Sequence, residues 1–283
     1  MDSLTTMLAA DKDRPMHNTN HLLAEKFGET FTIHYANSSD LRQHSFRLRH
    51  EVYCVEKRWE RPHAGGLEVD SYDPYAAHFL VKHRHSATYV GTVRLVDGPH
   101  LGALPCTQHL RQQGSIAPAT MARLSRRTGE ISRLAIPACY RNGLGLGRMG
   151  HNKDHCQQAL FILIGLVLSA IALADLKRLE RIVMLTEPRA RKLMRRFGLP
   201  FETISEPIAL HGHRTLHSLD REHYGTGLPP PLRTFYESIR AELAERVDAS
   251  PPTPIHYPTG NPRPLTPGEA VPVNARRLAS DGG

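Results

Sequence analysis

The chain has 283 residues, a formal charge of +8 with histidine neutral, 40% hydrophobic residues, 21 prolines and four cysteines. That length and apolar content can bury one large core, which excludes a wholly disordered chain, and the positive excess points to an anionic partner without choosing among nucleic acid, anionic lipid and an acidic protein. Cys54, Cys106, Cys139 and Cys156 stand far apart with no Cys-x-x-Cys pair, which excludes a zinc-ribbon spacing and marks them as packing thiols in a reducing compartment. The opening residues lack a basic stretch followed by an apolar core, so the expected location is cytoplasmic.

Residues 1–29 are polar and unpatterned and read as a mobile arm with a helical turn near HLLAEKF. FTIHYA alternates as a strand does. The segment beginning at Asp40 then predicts a helix, with Asp40 as N-cap and Leu41, Phe46, Leu48, Val52 and Tyr53 near helical spacing. AAHFLVKH and YVGTVRLV, split by a polar turn, predict an antiparallel hairpin. Residues 98–128 read as loop with short helix, GEISRLAI as a strand, CYRNGLGLG as a glycine-rich turn and residues 150–176 as a long helix. ERIVMLTE is a strand, PRARKLMRRFG a helix opened by proline and closed by glycine, and FETISEPIALHGHRTLHSLD holds two more strands.

The order β-α-β-β-β-α-β-α-β-β predicts one α/β domain over residues 30–226, followed by a C-terminal helix at 227–248 and a proline-rich disordered tail at 249–283. The apolar run Ala159–Ala174 is shorter than the roughly 20 residues a membrane span needs, and it is bracketed by charges and followed by a strand. It reads as a helix buried against a sheet, with at most peripheral membrane contact.

The charges inside apolar segments carry the chemistry. Glu130 and Arg133 share EISRLAI, where strict alternation places them on opposite faces of a strand. Glu68, Asp70 and Asp73 put three acids into six residues, which cannot share a low-dielectric site without cations. Arg49, Arg94 and Arg133 are the candidates to supply them, and such a network would order the segment from Trp59 to Asp73. His211 and His213 could face one side, but no Cys or acid completes a metal site at fixed spacing, so no metal is expected. Aromatics are 6% of residues and are not interleaved with the basic clusters, so no nucleic acid is expected as a partner.

The spacing Arg49-x3-Tyr53-x5-Trp59-x8-Glu68-x-Asp70-x2-Asp73, then Arg94 in a hairpin strand and Glu130-x2-Arg133 in a central strand, resembles the signature of the synthases that make acyl-homoserine lactone autoinducers. The text from RHEVYCVEKRWE to HGHRTLHSLD looks more like the PEP-CTERM/exosortase system-associated acyltransferases, and both are similar to N-acyl amino acid synthases. The resemblance covers about residues 31–222. It implies a GNAT-like acyltransferase fold, with a central mixed, mostly antiparallel, splayed sheet flanked by helices.

The resemblance also implies an activity: transfer of a fatty acyl group from a carrier thioester, acyl-ACP or acyl-CoA, to the amine of an amino acid or related small molecule. No permanently bound cofactor is implied. Glu130 becomes the candidate base, and Arg133 would face the same cleft and hold the acidic segment. Tyr53 departs from the commoner Phe and adds a hydroxyl without an assigned role. GNAT enzymes that use acyl-CoA grip its pyrophosphate with an R/Q-x-x-G-x-G/A turn; Arg141, Gly143 and Gly145 approach this pattern, although Tyr140 stands where Arg or Gln is usual. An acyl carrier protein partner would instead want a basic landing patch, for which Arg126, Arg127, Lys192, Arg195 and Arg196 are available. The rival readings are a basic nucleic-acid binder and a membrane-associated, non-catalytic acyl-binding protein.

Overall fold

The computed structural model describes residues 16–62, 65–97, 104–124, 127–141 and 153–248. The elements run α1 (Met16–Thr30), β1 (Phe31–Tyr35), α2 (Ser39–Arg49) passing directly into a π-helix (His50–Glu56), β2 (Ala76–His83), β3 (Tyr89–Val96), α3 (Pro105–Gln112) and α4 (Pro118–Arg123). They continue with β4 (Thr128–Ala135), α5 (Ala138–Arg141), α6 (Lys153–Leu176), β5 (Arg181–Thr186), α7 (Pro188–Arg196), β6 (Glu202–Thr203), β7 (Ile208–Ala209), β8 (His213–Asp220) and α8 (Pro230–Asp248).

The sheet order is β1-β2-β3-β4-β5-β8-β6, with β7 pairing β8 off this path. Every neighbouring pair is antiparallel except β4 and β5. Those two run parallel and pair only at Thr128–Arg181, Gly129–Ile182 and Glu130–Val183. Beyond Glu130 the two strands part, which gives the splayed, mostly antiparallel α/β sheet of a GNAT-like fold.

Side chains alternate across the sheet, so its two faces differ. One face presents Phe79, Val81, Val93, Leu95, Ile131, Ile182, Met184 and Leu219 to α6, with α1 and α8 stacked outside. Being covered on both sides, α6 is apolar all round; it is also the one described helix long and apolar enough to cross a membrane by length and composition. Close approach is built in by glycine. A Cβ at Gly91 of β3 would lie 2.7 Å from Ile162 of α6, and one at Gly165 of α6 would lie 2.9 Å from the Phe27 ring of α1.

Two expectations need correction. The stretch read as a mobile arm is helical from Met16, because Leu23 and Phe27, four residues apart on one helix face, bury against the core, with Phe27 stacking 4.8 Å from Phe235 of α8. The N-cap of α2 is Ser38, whose hydroxyl accepts the Leu41 N–H, and Asp40 lies within the first turn. The helix at 230–248 is part of the main core, since Leu232, Phe235, Ile239 and Leu243 are all buried in it. The second sheet face is part apolar, where Ala76, Val96, Val183 and Leu216 meet Leu104, Cys106 and Leu110. The rest of that face is charged.

Candidate active site

The charged part of the second face lies under α2 and the segment that follows its π-helical extension. Arg49, the last residue of α2, is fully buried. Its Nη1 and Nη2 donate to the two carboxylate oxygens of Asp73 at 2.6 and 3.0 Å, and its Nε donates to Glu68. Arg94 on β3, also fully buried, donates from Nη1 to Asp70 at 2.6 Å and to Asp73 at 2.8 Å, and from Nε to the Ser132 hydroxyl at 3.2 Å. Arg133 on β4 donates to Glu68 at 3.1 Å and pairs with Asp70 at 3.3 Å and Glu60 at 3.4 Å.

The three arginines therefore converge on Glu68, Asp70 and Asp73 from three separate elements. Bidentate, charge-assisted pairs of this kind fix geometry more surely than they add stability, because both charges have left water. The irregular segment before β2 is ordered by them. It is further pinned where the Asp70 N–H donates to Asp73 and the Glu68 N–H to the Phe46 carbonyl. Burial pushes the Asp73 carboxyl up, but Arg49 and Arg94 more than reverse this and hold it well below the usual carboxylate range. Asp70 is lowered in the same way, with burial opposed chiefly by Arg94. Beside them His78 is buried neutral, its pKa pushed down to about 3 by loss of solvent, although Asp73 lies 3.5 Å away.

Strict alternation would have sent Arg133 to the opposite face from Glu130, and it does not. β4 carries an irregularity opposite β3 between the pairs Arg94–Ser132 and Thr92–Ala135, and Arg133 adopts a left-handed backbone with φ of 52°. The extra residue of this bulge re-aims the side chain onto the face that Arg94 occupies. Tyr53 supports the turn: its hydroxyl donates to the Leu134 carbonyl at 2.8 Å, and Arg133 lies over its ring at 5.6 Å. The hydroxyl that distinguishes Tyr from Phe thus ties the π-helix to the bulge.

Glu130 lies on this face at the last paired position before the parting of β4 and β5. It does not join the arginine cluster. It is buried, and its carboxylate accepts the Cys106 N–H at 2.7 Å and a further hydrogen bond from the Cys106 side chain. Burial raises its pKa, only partly offset by those bonds and by the fields of Arg94 and Arg133. A carboxylate made more basic in this way, at the mouth of a parted sheet, is suited to taking a proton.

Trp59 is half-buried, stacked on Tyr53 at 6.0 Å and on His211 at 4.9 Å, with Arg214 over its ring at 5.1 Å. His211 is thus an aromatic partner of Trp59. Arg141 donates to the Ile136 carbonyl and to Glu56, both at 2.8 Å, so its guanidinium secures the loop after β4 to the end of the π-helix. Gly143, Gly145 and Arg126 lie outside the described residues. Sequence reasoning missed Glu60, Cys106, His78 and Arg214. For Glu60, in RWERP, no local signal separates it from a surface charge. For His78, its place two residues from Leu80 in an unbroken strand pattern would have put it on a buried face.

Residues 48–150 match the family model described as Acetyltransferase (GNAT) domain. A search of curated proteins found no match. Among solved structures the chain resembles the AHL synthase LasI, at 18% identity over 68% of this chain and 89% of that one with a TM-score of 0.46. It also resembles BjaI, a CoA-dependent acyl-homoserine lactone synthase solved with SAM and isopentyl-CoA, at 17% identity over 74% and 89% with a TM-score of 0.48. FeeM, an N-acyl amino acid synthase from uncultured soil microbes, is similar at 12% identity over 71% and 96% with a TM-score of 0.47. The domain match spans the three arginines, the three acids and Glu130, and with the splayed sheet it supports an N-acyltransferase of GNAT-like fold.

Proposed function

We propose that the protein transfers a fatty acyl group from a carrier thioester to the amine of an amino acid or related small molecule, giving an N-acyl amino acid or a lactone-like signal. The observation that carries this reading is the position of Glu130, a buried carboxylate of raised pKa at the last pair before β4 and β5 part, beside a rigid arginine–carboxylate wall. An amine attacking a thioester needs little covalent machinery. The C–N bond forms, the C–S bond breaks with the sulfur leaving as a thiolate, and the amine gives up one proton, which Glu130 receives directly or through a water and which ends on the departing thiolate. The preformed cluster holds the acceptor side of the cleft in one geometry, so little reorganisation accompanies the reaction.

The donor in this reading is acyl carrier protein or acyl-CoA. For the carrier protein, Arg127, Lys192, Arg195 and Arg196 are exposed and cationic and would complement an acidic surface. We place the reaction in the cytoplasm, in a bacterial context allied to surface-protein sorting, on the resemblance to exosortase-associated acyltransferases.

The test is mass spectrometry of lipid extracts from cells expressing the chain or its Glu130→Gln variant. A new N-acyl species with the parent, lost or reduced about 10²–10⁴-fold with the folded variant, is expected for a general base. An equal yield from both removes Glu130 from the mechanism, and no product from either overturns the reading.

A further inference from the structure

Among the described residues near the site, Arg214 is an arginine that the cluster does not absorb. It stands on β8 one position before Thr215, which pairs with Thr186 at the end of β5. Its side chain therefore lies past the end of β5, on the lip of the parted sheet opposite Arg133 of β4. Arg133 lies over the Tyr53 ring at 5.6 Å, Tyr53 stacks on Trp59 at 6.0 Å, and Arg214 lies over Trp59 at 5.1 Å, so the two arginines flank one stacked aromatic pair. Arg133 is matched by Glu60, Glu68 and Asp70. Arg214 is not matched: its Nε is buried without a hydrogen-bond partner, and no carboxylate pairs with it among the described residues. Burial holds His109 and His211 below their ordinary pKa, with Arg133 and Arg214 adding to the effect, so both imidazoles are neutral at neutral pH and Arg214 carries the charge of its lip.

A half-buried guanidinium with an unsatisfied donor calls for an anion. Its neighbours decide which. The ring of Trp59 lies 5.1 Å from the Arg214 carbon and is stacked on His211, giving a flat apolar platform beside the charge. On the side of Arg133, Asp70 and Glu60 keep 22% and 39% of their side chains exposed. A phosphate would be repelled by those acids. A zwitterion satisfies both sides, its ammonium toward the acids and its carboxylate toward the guanidinium.

We propose that Arg214 binds the α-carboxylate of an amino-acid acceptor, with Trp59 and His211 flanking it and Asp70 and Glu60 facing its ammonium group. This rests on the acyl-transfer reading, whose acceptor is an amino acid or related small molecule, and assigns the residue that holds the acceptor's carboxylate. Arg214 is thereby a specificity residue: it selects the carboxylate and leaves the acyl donor alone.

Trp59 is the only tryptophan of the chain, so its fluorescence reports the site directly and needs no turnover. The full chain is titrated with non-aromatic α-amino acids, their α-amides and inorganic pyrophosphate, and then repeated with Arg214→Gln and Arg214→Lys, whose thermal unfolding is recorded alongside. At least one amino acid should quench Trp59, with affinity about 10- to 100-fold weaker for its amide and for Arg214→Gln, the loss expected of a charge-assisted pair. Arg214→Lys should fall between, since it keeps the charge and loses the fork. No quenching by any amino acid, equal affinity for acid and amide, affinity unchanged in Arg214→Gln, or tighter binding of pyrophosphate would each overturn the proposal. The acid-against-amide comparison uses the parent chain, so it stands even if a variant unfolds. N-acyl product whose yield ignores Arg214 sinks this inference alone; carboxylate-dependent binding without any N-acyl product sinks the acyl-transfer reading alone.

Discussion

Asp73 sits at the centre of the charged cluster, bonded to two buried arginines and 3.5 Å from a histidine that stays neutral. That arrangement fixes how the protein responds to acid. His78 has a folded pKa of about 3, against about 6.5 in an unfolded chain, so the unfolded state takes up its proton first. The stability it contributes is complete above about pH 6.5 and is lost as pH falls toward the folded value, at up to about 1.4 kcal/mol per pH unit. Asp70 and Asp73, whose carboxyls are depressed, add a further loss once pH drops below about 4. Glu130 has the opposite sign, because its raised carboxyl binds a proton more tightly when folded and destabilises the fold as pH rises through its unfolded value. Urea unfolding from pH 7 to 4 should therefore show falling stability, and His78→Gln should flatten that slope. A parallel slope in the variant would mean that the imidazole is not what titrates. The partnership of Arg49, Arg94 and Arg133 with the three acids was legible because three carboxylates in six residues must find cations. The side taken by Arg133 was not, since its positive φ falls on a residue that carries no glycine-like signal.

The elements themselves were largely legible from periodicity, and the exceptions share a cause. The hairpin of β2 and β3, the strand β4 and the proline-started helix α7 follow from alternation and end signals. Helix α1 was hidden because only Leu23 and Phe27 of its described side chains are buried, and its partners lie on α6 and α8, far away in sequence. The contact that seats it depends on Gly165. Replacing that glycine with alanine adds about 1 kcal/mol of helix propensity but drives a methyl to 2.9 Å from the Phe27 ring, where overpacking costs about 1–3 kcal/mol. Gly165→Ala should lower the melting temperature in the parent and raise it in a Phe27→Leu background. A double-mutant cycle by thermal melts checks this, and additive effects would show that the two positions do not meet.

For the whole molecule, the single sheet separates two tasks: one face, apolar where α6 covers it, supports the fold, and the other holds the charged site. The long apolar run at 159–174 belongs to the first task, lying between the sheet and the pair α1 and α8. Composition alone suggested a membrane helix, whereas the flanking charges and following strand pointed to the core, where it lies. Because α8 buries Leu232, Phe235, Ile239 and Leu243 against it, a chain ending at residue 229 should lose cooperative unfolding and bind a hydrophobic dye, as a core open on one side does. A sharp thermal transition without dye binding would show that α8 is dispensable.

The stacking of α1 on α8 joins the two ends of the described chain, with Phe27 against Phe235. During translation the first helix leaves the ribosome long before the last, by about 200 residues, or roughly 10–40 seconds at ordinary elongation rates. Throughout that interval Leu23 and Phe27 have no finished surface to rest on. The core can close on α1 only once α8 has been released, so until then the nascent chain carries an exposed apolar surface.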